Sequence, residues 1–339
     1  MENDRSATAN RTCVSCGGSP RLLFRARDLN LEISQEWFSY YRCPSCKTVQ
    51  LIPVPADLSR NYTDKYGLYK LPRTESELRI KAEACRPRMK LVQRFVPSGR
   101  LLEVGASYGA FAYLAKQAGY DVHAMEMDAG CCQFMESLGI RTIHGCTPAS
   151  VSESYDVIAL WHSLEHLDDY PRALRDLVQH LLPGGILVLS TPNPASLQFR
   201  LFGRFWVNVD APRHLVLVPL PALESVLREQ GLGLEYGSAV DKESRDFSAW
   251  SWGASLENMF AASGFEPRLP ARTLLRDGKP LRATQRVAGK LLAAGLSGAL
   301  RVALFPFERS GLRGASYSAV FRLGAEPRGD AQRQGSAQS

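Results

Sequence analysis

The chain has 339 residues, 45% of them hydrophobic and 22% charged, with a formal net charge of +7. That length exceeds one minimal domain and suits two or three parts sharing a large core, and the composition is that of a globular protein. The positive balance is compatible with nucleotides, sugar phosphates, RNA or an acidic membrane surface, but Lys and Arg are scattered in the manner of a solvated basic face.

In chain order, residues 1–11 are polar and read as a disordered tail. No charged-then-apolar leader opens the chain, and no run reaches the ~20 apolar residues that cross a bilayer. Eight cysteines in that setting lead to the expectation of a reducing cytoplasm, where metal ligation or free thiols replace disulfides.

Residues 12–56 hold Cys13-Val14-Ser15-Cys16 and Cys43-Pro44-Ser45-Cys46, with 26 residues between the pairs. Two intervening residues let both sulfurs face one ion from a tight turn, and two such turns supply a tetrahedral site. Cys13, Cys16, Cys43 and Cys46 are therefore the expected ligands of a structural zinc in a zinc-ribbon-like module. A redox pair would need one CxxC in a βαβ setting, which is missing here. Cys85, Cys131, Cys132 and Cys146 show no ligand spacing.

Residues 57–97 read as a helical connector or lid, tyrosine-rich at Tyr62, Tyr66 and Tyr69. Over 98–239 short apolar strands alternate with amphipathic helices, the pattern of a parallel α/β sheet. Strands are predicted at 100–104, 121–126, 141–144, 155–161, 185–190 and 232–237. Helices are predicted at 108–118, 130–138 and 220–230, with another opening at Pro171 and ended by Pro183-Gly184-Gly185. Residues 240–323 read as a helical insertion followed by a last strand at 315–323, and 324–339 as a disordered tail. The predicted fold is thus α/β, a Rossmann-like doubly wound sheet with a small N-terminal module and a helical insertion before the last strand.

Leu101 to Gly109 runs from a strand through a glycine turn into a helix, as Glu103-Val104-Gly105-Ala106-Ser107-Tyr108-Gly109. This is not the GxGxxG that sets a helix N-terminus on a pyrophosphate; an acid before the turn suits a cationic ligand. Glu126 ends the next strand, where a carboxylate can hold a ribose. Here the residues resemble the class I S-adenosylmethionine-dependent methyltransferases. The resemblance continues through Tyr155-Asp156-Val157-Ile158, Leu164-Glu165-His166, Leu181-Leu182-Pro183-Gly184-Gly185 and Thr191-Pro192-Asn193. It implies S-adenosylmethionine as cofactor, bound by Glu103, Gly105, Ala106, Gly109, Glu126, Met127 and Trp161. Where the family often has an acid near the adenine, this chain has Gly145-Cys146-Thr147. The front module resembles the zinc-binding domain of sugar C-methyltransferases. Asp210-Ala211-Pro212-Arg213-His214-Leu215 resembles a segment of a bacterial branch associated with polysaccharides.

His162, Glu165 and His166 follow the 155–161 strand and fall on one face if the chain makes a helical turn, with His214 able to approach from a later loop. Three readings stand open. His162, His166 or His214 is the general base that deprotonates an acceptor hydroxyl; the cluster binds a divalent ion, as the similar ExxEH of small-RNA 2′-O-methyltransferases implies; or it pins the strand end. Trp206, Arg213 and the three tyrosines are candidate walls of an acceptor pocket, or packing.

The resemblance implies a methyltransferase acting on a small molecule or glycan, at a sugar hydroxyl or a carbon beside a keto group, with a nucleotide- or lipid-linked acceptor among the options. An RNA methyltransferase and a non-catalytic adenosylmethionine-binding scaffold are the alternatives. Leu281 to Phe305, with Arg282, Arg286, Lys290 and Arg301 flanking apolar stretches, reads as an amphipathic helix packed on the core or lying on a membrane.

Overall fold

The computed structural model describes residues 11–62, 70–145, 150–262 and 312–325, together with 298, 299, 303, 307 and 308. Tyr66, Tyr69, Cys146 and nearly all of both predicted tails and of the predicted 281–305 helix lie outside them.

The N-terminal part forms β1 (Arg21–Ala26), β2 (Phe38–Arg42) and β3 (Val49–Leu51). α1 (Glu75–Ala84) and α2 (Arg86–Phe95) follow. Thr74 caps α1 by accepting from the Glu77 amide, and a proline sits in the first turn of α2. Within 57–97 the described residues also include a single 3-10 turn at Ser59–Asn61.

The core then runs β4 (Arg100–Val104), α3 (Ala110–Gln117), β5 (Asp121–Glu126), α4 (Ala129–Ser137), β6 (Arg141–His144), β7 (Tyr155–Trp161), α5 (Tyr170–Val178) and β8 (Leu181–Pro192). It continues through α6 (Leu197–Phe202), β9 (Val216–Leu217), α7 (Leu220–Arg228), β10 (Leu232–Ser238), α8 (Lys242–Ala262) and β11 (Ser316–Leu323). The seven-stranded sheet has the order β10-β11-β8-β7-β4-β5-β6. β6, β5, β4, β7 and β8 are mutually parallel, and β11 is antiparallel to both of its neighbours. Chain direction across the sheet reverses between β4 and β7, the switch point at which α/β sheets bind ligands.

Two apolar layers cover the sheet. Leu78, Met89, Val92, Phe111 and Met135 pack on one face, and Tyr170, Leu174, Leu177, Leu223 and Leu227 on the other. In α5 the buried Tyr170, Leu174, Leu177 and Val178 recur at i, i+4, i+7 and i+8, which defines its inner stripe.

Two boundaries differ from the sequence reading. Pro183-Gly184-Gly185 does not end a helix, since α5 stops at Val178. The glycine pair instead lies inside β8, where pairing with β7 slips between Tyr155 and Val157. A Cβ on Gly185 would stand 2.8 Å from the Leu182 carbonyl oxygen, so the bulge requires glycine. In addition, β9 leaves the core to pair with β3, giving a second sheet of order β1-β2-β3-β9. The front module is thereby sewn to the catalytic part by backbone hydrogen bonds.

Candidate active site

The first βα turn is built for close approach. The amides of Gly105 and Ala106 both donate to the Met125 carbonyl, at 2.9 and 3.2 Å. Gly105 has φ +76°, and a Cβ there would stand 2.7 Å from Ser163 Cβ, so the loop rests directly on the turn after β7. Gly109 has φ +79°, and its missing side chain makes room for Met135.

Glu126 is buried at the end of β5, and its carboxylate gathers both turns. Oε2 accepts from the Ser107 amide at 2.6 Å, and Oε1 accepts from Met127 at 2.8 Å and Asp128 at 3.0 Å. Three of about four acceptor positions are filled, so a ribose would meet one free lone pair or displace the Ser107 amide. Met127 is exposed beside it, while Ala106 is buried in the turn.

Glu103 lies beneath the loop, 4% exposed, with Oε2 lacking a hydrogen-bond partner. Burial pushes its carboxyl up to about 8, against the pull of the Arg88 guanidinium. An orphaned buried carboxylate oxygen at this point fits a cationic ligand group.

Trp161, at the end of β7, packs edge-on to Phe111 at 5.2 Å, with the Arg88 guanidinium over its ring at 5.4 Å. It lines a cleft of about 510 Å³, with Arg88 and Leu91 from α2, Tyr236 from β10 and Glu243 from α8 among its walls. Arg88 Nε and Nη2 both donate to Glu243 Oε1, at 2.8 and 2.5 Å. No periodicity links these two residues, which is why sequence reasoning missed them.

His162 follows the cleft residue Trp161 and precedes Ser163, the residue under Gly105. Its backbone has φ +56°, uncommon for a residue with a side chain and frequent at functional sites. The ring stacks on Phe247 of α8 with centroids 4.3 Å apart; Nδ1 lies 3.4 Å from Glu165 Oε1 and Nε2 3.8 Å from Glu243 Oε1. Neither ring nitrogen has a hydrogen-bond partner. The predicted one-face helical turn is a short 3-10 turn at Leu164–His166, and His162 precedes it. Glu165 is 1% exposed and accepts from Thr191 Oγ1 at 2.9 Å. Burial would raise its carboxyl, but the surrounding imidazoles, His162 foremost, hold it down at about 2.

On the other flank, the His166 and His214 rings meet edge-to-face at 4.8 Å. His166 Nδ1 lies 3.0 Å from the Tyr62 hydroxyl and 3.0 Å from the Arg213 carbonyl. Burial, then His214, depresses its titration to about 4, which leaves it neutral at physiological pH. Of the two readings of Trp206 and Arg213, pocket wall or packing, their burial matches packing. Trp206 is 1% exposed and Arg213 0%, because Trp206 packs with Phe199 and Arg213 is consumed by Asp28 and Asp210. Tyr62, the described member of the tyrosine trio, does reach the histidines.

The four front-module cysteines converge. Cys13 and Cys46 sulfurs are 3.5 Å apart, as are those of Cys16 and Cys43, and all four lie within 4.8 Å of one another. Tetrahedral Zn–S bonds would set the sulfurs about 3.8 Å apart, so the set fits. The two turns are equivalent: Gly17 and Lys47 take φ +71° and +66°, and their amides donate to the Cys13 and Cys43 carbonyls at 2.8 and 3.0 Å. Burial opposes ionisation of Cys43, but the Cys46 and Ser45 amides outweigh it and bring the thiol to about 7.

A Rossmann-like sheet with an acid before its glycine turn and a second acid ending the next strand is the arrangement that the resemblance of the sequence to S-adenosylmethionine-dependent methyltransferases implies. Residues 77–236, from α1 into β10, match the family described as a methyltransferase domain. Among solved structures the chain is similar to a protein of Galdieria sulphuraria provisionally assigned as a sarcosine dimethylglycine methyltransferase (14% identity, 75% of this chain and 88% of that one, TM-score 0.45). It is also similar to an S-adenosylmethionine-dependent methyltransferase from Mesorhizobium loti (16%, 70% and 97%, 0.41) and to the cyclopropane synthase MmaA2 from Mycobacterium tuberculosis (14%, 69% and 84%, 0.43). No curated protein matches the chain. Among the described residues no helix is long and apolar enough to cross a membrane.

Proposed function

We propose that the protein methylates a small polar acceptor, a sugar or related glycan metabolite, at a hydroxyl or a carbon beside a keto group, with His162 as the proton acceptor. The observation that carries this reading is the position of His162, in sequence between Ser163, which lies under Gly105, and Trp161, which with Glu243 lines a cleft of about 510 Å³; His162 Nε2 lies 3.8 Å from Glu243 Oε1. The cleft mixes Arg86, Arg88, Lys90, Arg94 and Lys242 with Glu83, Asp241, Glu243 and Asp246. Balanced charge of that kind favours a neutral polyol over a phosphate backbone.

S-adenosylmethionine, when bound, supplies an electrophilic methyl group on a sulfonium. Gly105, Ala106 and Gly109 shape the turn that receives it, Glu103 complements its cationic end, Glu126 and Met127 flank the ribose and adenine, and Trp161 walls off the methyl. Glu165 orients His162 through Nδ1. His162 Nε2 then takes the proton from the acceptor oxygen or carbon, with Glu243 next in line. Most of the acceleration comes from positioning. Cys13, Cys16, Cys43 and Cys46 hold a structural zinc, with no open position for chemistry.

The test is incubation with methyl-labelled cofactor and a panel of sugar nucleotides, lipid-linked sugars and RNA, read by mass spectrometry. Label in a sugar, lost by about 10²-fold in His162→Ala with adenosylhomocysteine affinity kept, supports the reading. Label in RNA alone refutes it.

A further inference from the structure

The front sheet turns one face to the core and one outward, and its ladder sorts the residues between them. Directly opposite residues of paired strands share a face. Phe24 faces Tyr40, Ala26 faces Phe38, and Leu51 faces Tyr40 from the other side; all pack in the apolar cluster beneath the sheet. Leu22, Tyr41 and Gln50 in one row, and Arg25 with Ser39 in another, therefore make the outer face. Arg27 and Trp37 extend it past the last ladder pair, with the guanidinium over the indole at 5.1 Å.

The β3 side of that outer face is covered by the chain itself. Gln50 Nε2 donates to the Thr12 carbonyl and Gln50 Oε1 accepts from the Val14 amide, both at 3.0 Å. The Arg11 guanidinium lies over Tyr41 at 4.7 Å. The β1 side is exposed: Leu22 by 57% and Trp37 by 48%, with Leu23, where the register slips, exposed as well. Arg21, Arg25 and Arg27 interleave with these apolar side chains, and among the described residues none of the three is in an ion pair. The acids of the module do not offset them. Asp28 is buried on Arg213, and Glu32 and Glu36 stand in the β1–β2 connection.

We propose that this outer face of β1 and β2 docks on an anionic lipid bilayer. The arginines meet lipid phosphates, Leu22 and Leu23 enter the acyl boundary, and Trp37 sits at the headgroup level that indole rings favour. Single-stranded RNA would instead need free aromatic faces on which to stack its bases. Here Arg27 already covers one face of Trp37, and the other exposed apolar side chains, Leu22 and Leu23, are aliphatic. The surface is a different segment of the chain from the 281–305 stretch, and the proposal needs no assumption about cofactor or acceptor.

The full chain is sedimented with vesicles of pure phosphatidylcholine and with vesicles holding equal parts of phosphatidylglycerol and phosphatidylcholine. Wild type should pellet with the anionic vesicles alone, and added salt should release it. Arg25→Ala combined with Arg27→Ala should weaken partitioning by about tenfold or more, and so should Leu22→Ser combined with Leu23→Ser. Because either pair could fold badly, a second readout uses anionic vesicles with brominated acyl chains, which quench a tryptophan in contact with them. Wild type should be quenched, and Trp37→Phe should lose most of that quenching. Wild type that ignores anionic vesicles at low salt overturns the proposal. So does quenching that survives in Trp37→Phe, which would put the contact elsewhere. Binding of an RNA oligomer without binding of vesicles would assign the face to nucleic acid and overturn it as well.

Discussion

Arg213 is buried against Asp28, with Nη2 2.7 Å from Oδ1 and Nη1 3.1 Å from Oδ2, across 185 residues of sequence. The same guanidinium grips Asp210 through Nε and Nη2, at 2.9 and 2.6 Å, and Asp210 also accepts from Asn30. Arg213 is thus the clamp between the front module and the loop that presents His214. Removing it would leave the buried Asp28 carboxylate and the largely buried Asp210 carboxylate without their cationic partner. Arg213→Ala should cost about 3–5 kcal/mol in denaturant unfolding, and Asp28→Asn less, since Asp210 remains as partner. An Arg213→Ala protein as stable as wild type would show that the clamp does not hold the two parts.

The zinc assignment makes a stoichiometric claim. Protein purified in the presence of chelator-free buffer should carry about one zinc per chain in the cysteine site, and Cys13→Ser or Cys43→Ser should lose it. Tyr170 Oη donates to Ser15 Oγ at 2.8 Å, and Val14 and Cys46 pack on the main core, so the loss should also lower the melting temperature of the whole chain. A metal-free wild type with an unchanged melting curve would contradict the assignment.

Much of the sheet was legible because β4, β5, β7 and β8 are short, apolar and separated by glycine turns, and burial of those strands leaves little choice of arrangement. The histidine cluster was visible because three of its members are nearly adjacent in the chain. Other parts left weaker traces. β9 is two residues long and pairs with a strand some 165 positions earlier, a contact no local pattern encodes. α8 buries Ser244, Ser248, Ser251 and Ser255 alongside the apolar Trp252 and Leu256. Ser251 Oγ accepts from Trp206 Nε1 and Asn208, and Ser255 Oγ from the Val207 amide, so a polar face is satisfied internally. Glu243 and Phe247, which touch His162, sit on that same helix and shared its obscurity.

Glu103 gives the site a pH signature. In the free protein its carboxyl titrates at about 8, so at pH 7 it is largely protonated. The ammonium of a bound adenosylhomocysteine favours the ionised form, so binding at pH 7 should release up to about one proton, and affinity should rise as pH climbs toward 8. Calorimetry in two buffers of different protonation enthalpy measures the release. Glu103→Gln should abolish it, and an identical release in wild type and variant would assign the proton elsewhere.

The central claim is that the turn from Gly105 to Gly109 and the carboxylate of Glu126 hold S-adenosylmethionine. Calorimetric titration of the full chain with S-adenosylhomocysteine tests it most directly. Wild type should bind one equivalent, and Glu126→Ala should weaken binding by at least about tenfold, a loss of about 1.4 kcal/mol. Gly105→Val should do so as well, since its Cβ would press within 2.7 Å of Ser163. Folded wild-type protein that ignores adenosylhomocysteine, or takes NAD in its place, would contradict the account.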